Sequence, residues 1–220
     1  MARRRFRELP RERRDEILGL AAAEFARTGF HATSYNQLLD RLKLGKSSAY
    51  YLFDDKRDLF LTAVEHCYAR YFEAIQSLPR PKTAEGFWVF VHKASLMGFE
   101  YMLDDPTAAA LMLSVQRDVG LVADLGSSDL LASMNAYYAG VLAEGQRLGA
   151  VRKDLPRPLL IAAVRNLAVT FDQWFIAERA AAARPPSPAS SAKLFTQAAR
   201  RLVGNAEPEK PSASRARTHA

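Results

Sequence analysis

Lys46, Ser47 and Ser48 open the stretch GKSSAYYLF, and Tyr50 and Tyr51 follow within one helical turn. An ammonium, two hydroxyls and two phenols are all hydrogen-bond donors, and a short face of such donors suits phosphate oxygens and base edges rather than bond-making chemistry. Nine residues make about two and a half helical turns, too few to hold together alone in water. Neighbouring helices must therefore hold this segment. Nothing else in the chain suggests catalysis. There is no glycine-rich phosphate loop, nucleophile elbow, paired carboxylates or metal-ligand spacing, so neither an enzyme nor a metal or cofactor is expected. Cys67 is the single cysteine. It reads as a small buried side chain in a protein of the reducing cytoplasm, without a disulfide framework.

The elements that would position the donors can be read on either side of them. After Pro10, the segment RERRDEILGLAAAEFART sets Leu18, Ala21, Ala22 and Phe25 at helical spacing and stops before Gly29. Thr33 and Ser34 offer N-cap hydroxyls for a short second helix with Leu38, Leu39 and Leu42 as its apolar stripe, and Gln37 falls at the capping-box position relative to Ser34. Lys43, Leu44 and Gly45 make a turn, and the quoted segment forms a third helix. Asp55 caps a fourth, with Asp58 in its first turn. Two short helices on a tight turn, braced by longer ones, form a helix-turn-helix, in which Ala49 and Phe53 pack inward while Lys46, Ser47 and Tyr50 face out.

Charge supports this division. Residues 1–57 carry 13 Lys/Arg against 8 Asp/Glu, whereas residues 58–205 are almost balanced at 15 against 14. A basic module joined to a neutral one fits a polyanion partner at the N-terminal end. Arg3, Arg4, Arg5 and Arg7 read either as a solvated tail or as a flexible arm for the minor groove. The sequence Arg3-Arg4-Arg5-Phe6 lacks the apolar stretch of an export signal after it, and no run reaches the roughly 20 apolar residues of a membrane span. From Leu59 onward the chain reads as helices separated by Pro, Gly and Ser breaks, and residues 206–220 read as a disordered tail.

Residues 17–64 resemble the TetR family of bacterial transcriptional repressors. The elements carrying the resemblance are EFARTGFHATS, the AYYLF core of the third helix and the Lys56 to Leu59 spacing, in that order; EGQRLGAVRKDLP also resembles the family's link between its seventh and eighth helices. The resemblance implies an all-α fold: an N-terminal helix-turn-helix domain over residues 1–57 and a helical effector-binding and dimerisation domain over residues 58–205. It implies that Thr33 and Ser34 meet a phosphate, that Lys46, Ser47 and Ser48 face the groove, that Tyr50 and Tyr51 touch backbone or base edges, and that Lys56 approaches a phosphate. Three positions depart from the pattern: Lys43 stands where glycine is usual, Gly45 replaces a serine N-cap, and Leu52 replaces a histidine that would touch phosphate. Lys43 or the arginine arm is then the replacement contact.

The resemblance further implies a small-molecule effector and a homodimer formed by two long helices near residues 156–182 and 190–204. Trp88, His92, Phe99, Met102, Tyr138, Asn166 and Trp174 are the candidate effector contacts, although by residue type alone they read equally as ordinary core. The reading is a ligand-responsive repressor on a pseudo-palindromic operator, with no membrane partner. The rival is a helical-bundle enzyme or carrier with an incidental basic N-terminus.

Overall fold

The computed structural model describes residues 3–117 and 129–205; the Gly/Ser break at 126–128 and the tail at 206–220 lie outside the described residues. The helices are α1 (Arg4–Arg7), α2 (Arg11–Thr28), α3 (Tyr35–Arg41), α4 (Lys46–Leu52), α5 (Lys56–Gln76), α6 (Ala84–Asp104), α7 (Pro106–Arg117), α8 (Asp129–Arg147), α9 (Arg157–Ala181) and α10 (Pro188–Val203). Among the described residues the only β-type pairing is one bridge, Val151 to Gly204. The fold is all-α.

One apolar core holds the first four helices. Ile17, Leu18, Ala21 and Phe25 of α2 meet Leu38 and Leu39 of α3, Ala49 of α4 and Phe53 beyond it. Phe60 of α5 stands edge-on to Phe25, 5.0 Å between ring centroids. This core does not stop at residue 57: it continues through Cys67 and Tyr68 of α5 to Ala108, Leu111 and Met112 of α7. Apolar side chains on one stripe of α5 therefore connect the helix-turn-helix to the helices behind it.

The turn between α3 and α4 is closed by two bonds. Lys43 N–H reaches the Asp40 carbonyl at 3.1 Å, and Leu44 N–H reaches back to Leu39 at 3.0 Å, with Lys43 at φ 53. That is a Schellman motif with its left-handed position filled by a residue other than glycine. Asp55 caps α5, its carboxylate accepting Asp58 N–H at 2.8 Å, and Asp58 accepts Asp54 N–H at 3.0 Å in return. The capping box expected at Ser34 is absent. Ser34 occupies the N-cap of α3, but its side chain makes no capping bond. The buried Thr33 hydroxyl instead donates to the Gly29 carbonyl at 2.6 Å, closing the end of α2.

The arginine arm is likewise neither a tail nor loose: α1 docks on the end of α4. Phe6 is buried against Phe53, 4.8 Å between ring centroids, Arg3 N–H donates to Leu52 O at 3.0 Å, and the Arg3 side chain pairs with Asp54 at 2.7 Å. Burying a phenylalanine is worth about 1.5–3 kcal/mol, enough to anchor a short helix that would not persist alone.

Behind the head, α6 packs along α10, and α9 contacts both α8 and α10. Gly145 lets the segment after α8 fold back, because a Cβ there would stand 2.7 Å from the Phe87 ring. Arg152 N–H to Val203 O (2.9 Å) and Asn205 N–H to Ala150 O (3.0 Å) fasten the end of α10 to this segment. By length and composition α9 could cross a membrane, although Arg165 and Asp172 interrupt its apolar residues, and most of the helix is not buried within the subunit.

Candidate functional site

On α4, Ala49 and Leu52 point into the core while Lys46, Ser47, Ser48, Tyr50 and Tyr51 are exposed. Tyr50 and Tyr51 stand 51% and 49% exposed, which leaves both rings available to a partner. Each is braced from the side. The Arg5 guanidinium lies 3.5 Å from the centre of the Tyr51 ring, and Tyr35 meets Tyr50 edge-on at 6.4 Å. Burial pushes the Tyr35 phenol up to about 12, so it remains an uncharged support.

The cations sort into paired and unpaired. Arg27 and Arg41 both bind Glu24, and the Arg27 hydrogen bond holds that carboxyl below the usual glutamate range. Arg13 donates to Leu42 O at 3.1 Å, closing α3. Lys56 sends its ammonium inward, to Phe30 O at 2.9 Å and Thr33 O at 3.0 Å, and rests 4.6 Å from the Phe30 ring centre. Two of its three donors are thereby spent on the loop before α3. Thr33 is buried, whereas Ser34 is exposed. Lys43 and Lys46 are exposed and, among the described residues, make no hydrogen bond or ion pair. The face offered to a polyanion is therefore Lys43, Ser34 and the outer side of α4. Sequence reasoning did not find Phe6 and Arg5 as its supports; the lone aromatic in the arginine run was the available signal.

A second site lies between the longer helices, a cavity of about 140 Å³ walled mainly by α5, α6, α8 and α9. Trp88, Phe99, Met102 and Tyr138 line it; His92, Asn166 and Trp174 do not. On α9 the inward face runs through Val164, Arg165, Ala168, Val169 and Asp172, and Asn166 falls on its exposed side. Trp174 instead packs with Phe171 beside the Phe99 and Phe175 cluster. His92 sits at the edge of the α6 face that presents Val91, Ala94 and Gly98. Tyr71 was not singled out in the sequence, yet it reaches the cavity from α5, and burial raises its phenol, like that of Tyr138, well above the ordinary value.

A rigid helix-turn-helix with a donor-bearing outer helix, carried on an all-helical body with an internal cavity, defines a DNA-binding transcriptional regulator. Residues 17–63 match the family described as bacterial regulatory proteins, tetR family. The HTH-type transcriptional activator FasR of Mycolicibacterium smegmatis is 26% identical over 157 residues, spanning 64% of this chain and 71% of FasR. The HTH-type transcriptional repressor KstR2 of Rhodococcus jostii is 25% identical over 166 residues, spanning 74% of this chain and 79% of KstR2. The crystal structure of FadR from Bacillus subtilis in complex with stearoyl-CoA superposes with a TM-score of 0.65 at 14% identity, covering 83% of this chain and 95% of FadR, a likeness of fold. Residues 17–63 therefore carry the DNA-binding region of the tetR family of bacterial regulatory proteins, on a body whose fold is that of the solved regulators.

Proposed function

We propose that this regulator binds a pseudo-palindromic operator as a homodimer in the cytoplasm and leaves it when a small apolar effector fills the cavity. The observation that carries the reading is the outer face of α4, where Lys46 is exposed and unpaired on a helix whose inner side is locked into the core. Lys46, Ser47, Ser48 and Tyr50 read or approach base edges, while Lys43, Ser34 and Tyr51 steer and align through the backbone. Lys56 acts first as a brace for the loop before α3, with one donor left for a phosphate. Thr33 acts through its backbone position.

The dimer would use α9 and α10. Leu159, Leu194 and Leu202 are 53%, 48% and 41% exposed on these helices, and a second copy would cover them in a four-helix layer. Leu167 packs partly on the core, so Leu159 and Leu194 are the positions at which charge tests the interface without unfolding the subunit. The connection from cavity to DNA would run through α5, which begins at Lys56 and carries Tyr68, Tyr71 and Phe72 on the cavity wall, and through Met112 of α7, which touches both the cavity and the head. A 100-fold loss of DNA affinity on effector binding would require about 2.7 kcal/mol of coupling, and operator DNA would weaken effector binding by the same factor. A repressor is the reading adopted for the sign of regulation; an activator and a repressor both occur among the relatives.

Fluorescence anisotropy against DNA flanking the chain's own gene, followed by selection from a randomised library, tests the reading. Wild type should recover a two-fold site, Lys46→Ala should shift preference at one base position by about 1–3 kcal/mol, and Leu159→Glu with Leu194→Glu should give a monomer without operator affinity. A monomer that binds at full affinity, or a Lys46→Ala variant that loses affinity uniformly across the library, would overturn the corresponding part.

A further inference from the structure

The cavity is not uniformly apolar: phenols, Ser95, Arg165 and Asp172 stand among its aromatic and aliphatic walls. Tyr71 of α5, Tyr138 of α8 and Asp172 of α9 all belong to its wall, and the Asp172 carboxylate acts electrostatically on both phenols. Gly98 makes the space for this arrangement: a Cβ there would stand 3.1 Å from the Tyr71 hydroxyl oxygen. Among the described residues neither the Tyr71 nor the Tyr138 hydroxyl forms a hydrogen bond. Both hydroxyls face the cavity space, so a guest that drives water out must replace the hydrogen bonds it takes away, and one that supplies a polar partner gains more than its apolar area would give.

Resting on the reading of this cavity as the effector site, we propose that it selects a compact, uncharged, one-ring guest bearing a hydroxyl, held among Tyr71, Tyr138 and Asp172. The class follows from three observations. A hydroxyl both donates and accepts, so it can donate a hydrogen bond to the carboxylate while accepting one from a phenol; a ketone can only accept and a bare hydrocarbon does neither. An anion meets the wrong charge, because Asp172 is in the cavity wall and, among the described residues, is the foremost charge acting on Tyr138, ahead of Arg165. Arg165 is meanwhile directed at Asn135 Oδ1, 3.4 Å away. Size sets the remaining limit. At about 140 Å³ the cavity matches engineered apolar cavities that accept benzene, far short of a long acyl chain with a coenzyme head. The aromatic wall, including Trp88, Phe99 and Tyr138, suits a flat ring.

The experiment uses the full chain and three probes of one shape: 4-ethylphenol, ethylbenzene and 4-ethylbenzoate, titrated by calorimetry and by the fluorescence of Trp88 at the cavity wall. Expected are at least 10-fold tighter binding of 4-ethylphenol than of ethylbenzene, and weaker binding of 4-ethylbenzoate than of either. Asp172→Asn, and separately Tyr71→Phe with Tyr138→Phe, should bring 4-ethylphenol to within about 2-fold of ethylbenzene, whose unchanged affinity reports an intact cavity. Equal wild-type binding of ethylbenzene and 4-ethylphenol would overturn the hydroxyl assignment while leaving the cavity as a ligand site. Preference for 4-ethylbenzoate would overturn it in favour of Arg165 as the reader. Absence of binding by all three probes would overturn both this proposal and the effector reading on which it rests.

Discussion

Replacing Lys43 by glycine should make the protein more stable and a poorer DNA binder at once. Lys43 sits at φ 53 in the left-handed position of the Schellman turn that sets the angle between α3 and α4, with Leu44 N–H bonded to Leu39 O at 3.0 Å. A side chain in that conformation costs about 1–2 kcal/mol relative to glycine. Glycine returns roughly 0.4–1 kcal/mol of this through the greater freedom of the unfolded chain, leaving a net gain of about 1 kcal/mol. For a chain of this length that gain corresponds to a rise in Tm of about 2–4 °C. Lys43→Ala is the control, since it removes the same charge and keeps the strain. Thermal and urea unfolding followed by far-ultraviolet circular dichroism, at one protein concentration and without DNA, should place Lys43→Gly above both wild type and Lys43→Ala. Anisotropy titrations over a range of salt should show both variants with weaker operator binding and a salt slope lower by about one unit, if Lys43 neutralises one phosphate. Equal stabilities for the glycine and alanine variants would refute the strain argument. An unchanged salt slope would refute the phosphate contact without touching the strain.

Three further outcomes test the framework around the site. Lys56→Met should cost about 2 kcal/mol in urea unfolding, because the carbonyls of Phe30 and Thr33 lose a charged donor, and its DNA salt slope should fall by less than that of Lys43→Ala. Glu24→Gln should narrow its stability deficit as the pH falls. The Glu24 carboxyl is held low by Arg27, so its stabilisation is complete above the ordinary glutamate range and disappears as pH drops through the lowered folded value; a deficit that persists in strong acid would contradict this assignment. Gly145→Ala should destabilise by about 1–3 kcal/mol through overlap with Phe87 and Val151, measurable by thermal unfolding, whereas Gly140→Ala, with open space around it, should leave stability unchanged or raise it slightly.

The helices and the outward face of α4 were legible in the sequence because both depend on local geometry. A residue three or four positions away shares a helical face, so the alternation of Ala49 and Phe53 with Lys46, Ser47 and Tyr50 already specified which side meets the core. Asp55 as a cap followed from the same short range, and there the structure agrees. Ser34 shows the limit of that reasoning: the residue types permit a capping box, but the neighbouring Thr33 is buried and uses its hydroxyl on Gly29, and no bond forms at Ser34. Tertiary packing alone decided the rest. The docking of α1 depends on Phe6 reaching Phe53, 47 positions away, and the inward turn of Lys56 depends on Phe30 and Thr33 presenting their carbonyls to it. The cavity is the clearest case. Composition supplied its aromatic residues, but the rotation of α6 and α9 against their neighbours determined that Gly98 and Asp172 face inward while His92 and Asn166 do not. Tyr71 looked like any tyrosine of an amphipathic helix. Tyr71 shares a cavity with Tyr138 and Asp172 only because α8 and α9 carry those residues to its wall, an approach across some 70 to 100 positions of chain that no local pattern encodes.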